Sequence, residues 1–255
     1  MLNTLQKIII FSLAISINSV YGQSDEIKRL SIKDALDLSA ENIPGSTSKF
    51  HENEIKCAYY NWIYYINRLK ILTEKKALYN DLIKISGLKF KAGEINLAEK
   101  ALAELKYLKI ELQSVETQYN LLISENDLKR ILLIPDDLLP VNDSLIRYDL
   151  PSDINSYSVP DTLNIYDSGN YMLHKNYDNL KIQLIKYDEQ LTFYKKVLKF
   201  NQQTISAIKL RYKGEDIEYS DYINIINEVL NLKLEYLMTL NLYNQTALKI
   251  ESYFN

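Results

Sequence analysis

The sequence predicts an all-α chain built from two long antiparallel helical hairpins, with a short N-terminal helix and an irregular linker. Three observations carry that prediction. Apolar residues recur every three or four positions over long stretches, the spacing of a helix rather than a strand. Residues 88–112 align with residues 210–234 without a gap, so one unit is present twice. Glycine and proline are scarce, 6 and 5 in 255 residues, which disfavours a fold made of many strands and turns.

The elements follow in order. Met1 to Lys7 carries positive charge and no acid, Ile8 to Val20 is largely apolar, and Val20-Tyr21-Gly22 ends in a small residue. This is the layout of a secretory signal peptide over residues 1–22, and the apolar run is short of the ~20 residues a spanning helix needs. No other run reaches that length, so the exported chain, 23–255, is expected to carry no transmembrane helix. Leu30 to Glu41 reads as a short helix capped by Ser31 with Asp34 three residues on. Its inner face is Ile32, Ala35, Leu36 and Ser39, and Pro44 ends it.

The first hairpin is expected over about 51–133. Its ascending arm runs from His51 to Ala92 with apolar positions Ile55, Tyr59, Trp62, Ile66, Leu69, Leu78, Leu82, Ile85 and Leu88. The chain turns at Ala92-Gly93-Glu94, where glycine suits the positive φ that ends a helix. The return arm runs from Asn96 to Leu133 and stops before Pro135. Its stripe is Ala101, Leu105, Leu108, Leu112, Val115, Tyr119 and Leu122, alternating three and four without a slip. A 3.5-residue repeat keeps one apolar seam against a partner helix through a left-handed supercoil. At 1.5 Å per residue each arm is a rod of roughly 55–60 Å. Where the stripe is wider than one seam, more than one neighbour is implied, and an oligomer is expected.

The linker, 134–170, holds Pro135, Pro140, Pro151 and Pro160 and reads as loop, with Ser144-Leu145-Ile146-Arg147-Tyr148 as a candidate short strand. The second hairpin, about 171–253, ascends from Tyr171 to Lys213, turns at Gly214-Glu215-Asp216 and returns from Ile217 to Tyr253. In the internal alignment Leu88 meets Leu210, Phe90 meets Tyr212, Lys91 meets Lys213, Glu94 meets Asp216 and Leu112 meets Leu234.

LSIKDALDLSAENIP resembles the opening helix of the TolC family of outer membrane efflux proteins. The two aromatic-Lys-Gly-acid tips and their long arms resemble that family's tunnel hairpins, most nearly those of its heavy-metal (Czc/Cus-like) branch. The resemblance covers nearly the whole exported chain. It implies a homotrimer whose hairpins form a periplasmic conduit, with tips that meet a periplasmic adaptor and, through it, an inner-membrane pump. It also implies a location in the periplasm or at the outer membrane. Carried over by position, the adaptor-facing residues are Lys91, Gly93 and Glu94, and Lys213, Gly214 and Glu215. The glycine of the second tip stands one position early. The family also carries a pair of barrel strands ahead of each ascending helix. Here only GSTSKF lies between Pro44 and His51 and only SGNYML between Asp167 and the third long helix, too short for two strands of ~9–11 residues each. The barrel is therefore expected to be missing.

Little in the sequence speaks for catalysis or cofactor binding. No phosphate loop, Gly-x-Ser-x-Gly, Cys-x-x-Cys or His-Glu-x-x-His occurs, so neither an enzyme nor a cofactor is expected. Thirty Lys and Arg interleave with 33 Asp and Glu without a basic block, which argues against nucleic acid as partner. Cys57 reads as a packing residue, and the tyrosines of the first arm as packing residues with wet hydroxyls. His51 and His174 stand at equivalent starts of the two ascending arms. With Glu52 or Glu54 they would offer nitrogen and oxygen to a divalent metal, but two ligands without a fixed third are read as solvated helix-end histidines, and no metal is expected. The tip acids Glu94, Glu215, Asp216 and Asp221 read equally as a cation-selecting ring or as solvated acids near a helix start. The sequence thus points to an efflux conduit component, with a soluble periplasmic coiled-coil scaffold or a degenerate remnant as the alternatives.

Overall fold

A computed structural model describes residues 28–43, 48–150, 168–213 and 217–254. The expected signal peptide, the second tip's Gly214, Glu215 and Asp216, and the side chains of His174 and Lys213 lie outside the described residues.

The elements are β1 (Lys28–Leu30), α1 (Ile32–Asn42), α2 (Lys49–Lys91), α3 (Leu97–Leu132), β2 (Leu138–Pro140), α4 (Ser168–Lys213) and α5 (Tyr219–Glu251). A 3-10 turn over Ser252–Phe254 follows. The all-α reading with two long hairpins holds. α1 begins as the sequence dictates: the Asp34 amide donates to Ser31 Oγ at 3.1 Å, and the Ser31 amide donates to the Asp34 carboxylate at 2.9 Å. α3 repeats the device, the Glu99 amide donating to Asn96 Oδ1 at 3.0 Å and the Asn96 amide to Glu99 at 2.9 Å.

Between α2 and α3 the chain reverses through Gly93 at φ +75°. The Glu94 amide reaches back to the Lys89 carbonyl at 2.9 Å and the Gly93 amide to Phe90 at 3.1 Å, so the last carbonyls of α2 are satisfied. The same motif ends α3 with a leucine, Leu133, at φ 54°, before Pro135.

The four long helices form an open row in the order α3, α2, α5, α4. α2 packs on α3 within its hairpin and on α5 of the other; α4 touches α5 alone among the long helices in any extended contact. The α2–α5 pair is antiparallel: Asn53 donates to the Leu248 carbonyl, Gln245 to the Cys57 carbonyl, Asn241 to Asn61, and Lys75 to Asn231. These contacts run up one helix and down the other, so the two repeats hold a single register. At the end remote from the tips, Leu30, Ala35, Ile55, Trp62, Ile63, Leu128, Leu132 and Leu138 close a core under α1 and the two strands. Near the tips a smaller core joins Tyr79, Ile110 and Ile223 from three helices.

Two sequence expectations are corrected here. The α3 stripe read as the seam against its own hairpin partner faces outward: Leu105 is 63%, Leu112 60% and Tyr119 65% exposed. The residues of α3 that are buried are Ala103, Ile110, Ser114, Thr117, Ser124, Leu128 and Leu132. The physical reason is on α2, whose bulky Tyr64, Arg68 and Tyr79 crowd this seam, so that α3 sets mostly small residues there, with Ile110 against Tyr79. Arg68 Nε donates to Thr117 Oγ1 at 3.2 Å across this seam. α2 shows the same drift: Leu88 is exposed, while Leu72, Lys75, Tyr79 and Ser86 are buried instead.

The second correction concerns the linker. The strand lies at Leu138–Pro140, paired in parallel with β1, and not at 144–148. Residues 144–150 run as an extended strap that finds its partners on helices. Asn244, wholly buried, donates to the Ile146 carbonyl and accepts from the Tyr148 amide, both at 2.8 Å. Its side-chain amide takes the place of a neighbouring strand.

Candidate interaction surface

No helix of the described residues is long and apolar enough to cross a membrane. Among them, no group of three or more His, Cys, Asp or Glu is placed to hold a metal. His51 lies in the first turn of α2, where its Nε2 meets Ser39 Oγ at 2.9 Å and its Nδ1 faces Glu54 at 3.5 Å. Nε2 thus joins α1 to α2, while Nδ1 is engaged within α2. Ser39 is 2% exposed and built into α1, so the Ser-His-Glu alignment has no access for a substrate. Burial pushes the Cys57 thiol up to about 11, which keeps it protonated and inert at neutral pH.

The hairpin tips are the first candidate surface. Lys91, Gly93 and Glu94 are all exposed. Lys89 and Lys91 sit in the last turn of α2, where the negative end of the helix dipole favours them. The acid that caps α3 is Glu99, so Glu94 is spared a capping role and stands outward at the turn. Lys213 ends α4. Beside the second tip, Tyr212 stacks on Tyr222 at 4.8 Å with rings 17° apart, and Tyr219 closes the trio at 5.5 Å from Tyr212. Burial, with Asp81 of α2 nearby, pushes the Tyr219 hydroxyl up to about 12.

Of these tyrosines, Tyr219 lines a groove of ≈ 250 Å³ between the first tip and the start of α5. Its floor is Leu82, Ile85, Leu102 and Tyr219, and its rim carries Lys89, Lys106, Glu99 and Glu218. Sequence reading missed this groove, because it joins residues from two hairpins whose register only the folded α2–α5 pair sets. The sequence signal for it is Tyr219, directly after the second tip.

The outer edges of the row are the second surface. α3 presents Leu105, Leu108, Leu112, Val115, Tyr119 and Leu122, and α4 presents Ile182, Ile185, Phe193, Phe200 and Leu210, all exposed. Scattered exposed leucines are ordinary; the unbroken stripe along α3 is not, and with the sparser apolar positions of α4 it marks a contact site.

No protein-family model matches the chain, and no curated protein matches it in sequence. Solved structures do. A crystal structure of CusC, from work on the conformational changes accompanying folding and transmembrane channel formation, aligns with 99% of this chain and 88% of its own. The TM-score is 0.62 at 12% identity, which establishes a shared fold.

Proposed function

We propose that this chain is an outer membrane factor-like component of a tripartite efflux system, of the heavy-metal type, and not an enzyme. Copies of it, three on the family pattern, form a helical periplasmic conduit. The tips, through Lys91, Gly93, Glu94, Lys213, Gly214 and Glu215, dock a periplasmic adaptor that joins the conduit to an inner-membrane pump. The chain is exported and works in the periplasm in association with the outer membrane.

One observation carries this reading: four rods in an open row, alike in fold to CusC over nearly the whole chain, with an apolar stripe on each outer edge. A globule would fold its helices back to hide those stripes. A row that leaves both edges apolar is built to be continued by its own copies, and a continued row of rods closes around a lumen. The tip groove, apolar below and mixed in charge at the rim, suits the amphipathic helix of a partner.

The test is fractionation of a tagged full-length chain from its native host, with a mass measurement on the recovered species. A trimer held at the outer membrane by its partners, in keeping with the missing barrel strands, is expected, and a Lys91→Glu/Glu94→Lys double variant is expected to lose co-purification of the adaptor. A soluble monomer would replace the conduit with a periplasmic scaffold.

A further inference from the structure

β2 packs over α2 and α3 at the end remote from the tips, through Leu138 in the core there. Beside that contact the three elements bound a groove of ≈ 430 Å³. Trp62 and Leu138, 1% and 4% exposed, form its floor. Ile66 of α2, Leu121 of α3, and Leu139 and Pro140 of β2 form its walls. A mainly apolar groove in the range of roughly 300–1,000 Å³ has the size and lining of a small-molecule site.

Three charged side chains line the same groove: Arg29, Glu125 and Asp143. Both acids are already matched. Lys129 lies 3.0 Å from the Glu125 carboxylate, which also accepts from the Leu138 amide at 3.4 Å. Lys70 donates to Asp143. Arg29 is exposed, and among the described residues it forms no ion pair. An apolar groove thus carries one guanidinium left over beside two neutralised acids. A guanidinium so placed takes a carboxylate through two parallel hydrogen bonds. The complementary ligand is apolar along its length and anionic at one end.

The position of the groove selects between sources of such a ligand. Trp62 lies about 20 Å along α2 from Lys49, the first residue of that helix. A lipid held in a bilayer across that end of the rods would have to reach this far down their side. A dissolved single-chain molecule has no such distance to span.

We propose that the groove under β2 is a binding site for a dissolved single-chain anionic amphiphile, a fatty acid in chemical class. The alkyl chain lies over Trp62 between Ile66, Leu121 and Leu139, and the carboxylate accepts from Arg29. Binding covers Leu139, which is 47% exposed, and links β1 and β2 to the two long helices, so it stabilises this end of the fold. The groove is complete within one chain, so the site does not rest on the conduit reading.

Trp62 is the single tryptophan of the chain, so its emission reports the floor of the groove. The experiment is titration of the full exported chain with dibromostearate below its micelle concentration, because bromine quenches an indole it touches. Far-UV circular dichroism confirms the helicity of each variant. A saturable fall in Trp62 emission is expected, with a melting temperature that rises with ligand. Arg29→Glu is expected to weaken binding roughly ten- to a hundredfold, the loss of a charge-assisted bond, and Arg29→Lys by much less. Leu139→Glu, at an exposed position, is expected to weaken it as well. Dibromostearyl alcohol is expected to bind the native chain as weakly as the acid binds Arg29→Glu. Vesicles of brominated phosphatidylglycerol are expected to leave Trp62 emission unchanged. No quenching by the acid would overturn the site. Equal affinity for alcohol and acid, or full affinity in Arg29→Glu, would overturn the anionic ligand. Quenching by vesicles without quenching by the free acid would mean that a bilayer lipid seats there and would overturn the dissolved one.

Discussion

Replacing Asn244 by alanine tests the strap that ties the linker to the second hairpin. Asn244 is wholly buried in α5, and its side chain makes two hydrogen bonds of 2.8 Å, one to the Ile146 carbonyl and one from the Tyr148 amide. The alanine variant removes both partners and leaves two backbone groups without them. Each lost bond costs about 1 kcal/mol and each stranded group adds roughly 1 kcal/mol of desolvation, so a loss of about 2–4 kcal/mol is expected. Asn244→Asp keeps the acceptor for Tyr148, loses the donor to Ile146 and buries a charge, so it is expected to cost at least as much. Urea denaturation at fixed protein concentration reads the global loss. Hydrogen exchange at the Tyr148 amide reads the local one, expected to speed up ~30- to 1,000-fold for 2–4 kcal/mol. Unchanged exchange at Tyr148 together with a loss below 0.5 kcal/mol would refute the account of Asn244 as the strap's clamp.

Three further outcomes follow from the same geometry. Gly93→Ala forces a side chain into φ +75° with open space around it, so it is expected to destabilise by about 1 kcal/mol through the backbone alone. Gly87→Ala, mid-helix with equal room, is expected to stabilise by roughly 0.5–1 kcal/mol; melting temperatures moving the same way in both variants would contradict this. Stability is expected to fall between about pH 10 and 12. Burial raises Tyr60 and Tyr219 to about 12 in the fold against 10.0 unfolded, so their contribution is complete below pH 10 and is lost as pH climbs through the folded value. Lys75, lowered by burial, works in the opposite sense, and a melting temperature that rises over this range would show the lysine outweighing the tyrosines. Disulfide-reagent labelling of Cys57 at pH 8 is expected to run about a hundredfold slower in the native chain than in urea, since a thiol raised to about 11 holds correspondingly little thiolate. Equal rates would place the thiol at the surface.

The fold was largely legible because its signals are local. Ser31 with Asp34 and Gly93 with its flanking charges are short-range chemistry, and the structure places the caps and the turn where those residues stand. The strap was not legible: Leu145, Ile146 and Tyr148 are residues that suit a strand, and only the distant Asn244 decides that the segment pairs with a helix. The tip groove needs the α2–α5 register, set by contacts such as Lys75 with Asn231 that no local pattern announces. On α3 the heptad was visible but its neighbour was not. That helix carries two seams about 160° apart at 100° per residue, a leucine seam and an Ala/Ser/Thr seam. The eye follows leucine, whereas the bulk of Tyr64, Arg68 and Tyr79 on α2 selects the small residues.

That choice of seams has an energetic consequence. Spending the small-residue face inside the hairpin leaves the larger hydrophobic reserve outside. Six residues on α3 and five on α4 stand 42–70% exposed. Covering a fully exposed Leu or Phe is worth about 1.5–3 kcal/mol, so covering these side chains from half-exposure yields roughly 8–15 kcal/mol per copy-to-copy contact. Association costs an estimated 4–15 kcal/mol in lost freedom, so one contact alone is close to balance. Closure changes the sum, because the last contact of a ring joins copies already held together and avoids most of that cost. Assembly is therefore expected to be cooperative, with monomer and closed ring populated and open intermediates rare. Sedimentation velocity across a hundredfold range of concentration reads this directly: two boundaries exchanging amplitude support ring closure, whereas a continuous drift through dimers would mean that the edges do not close.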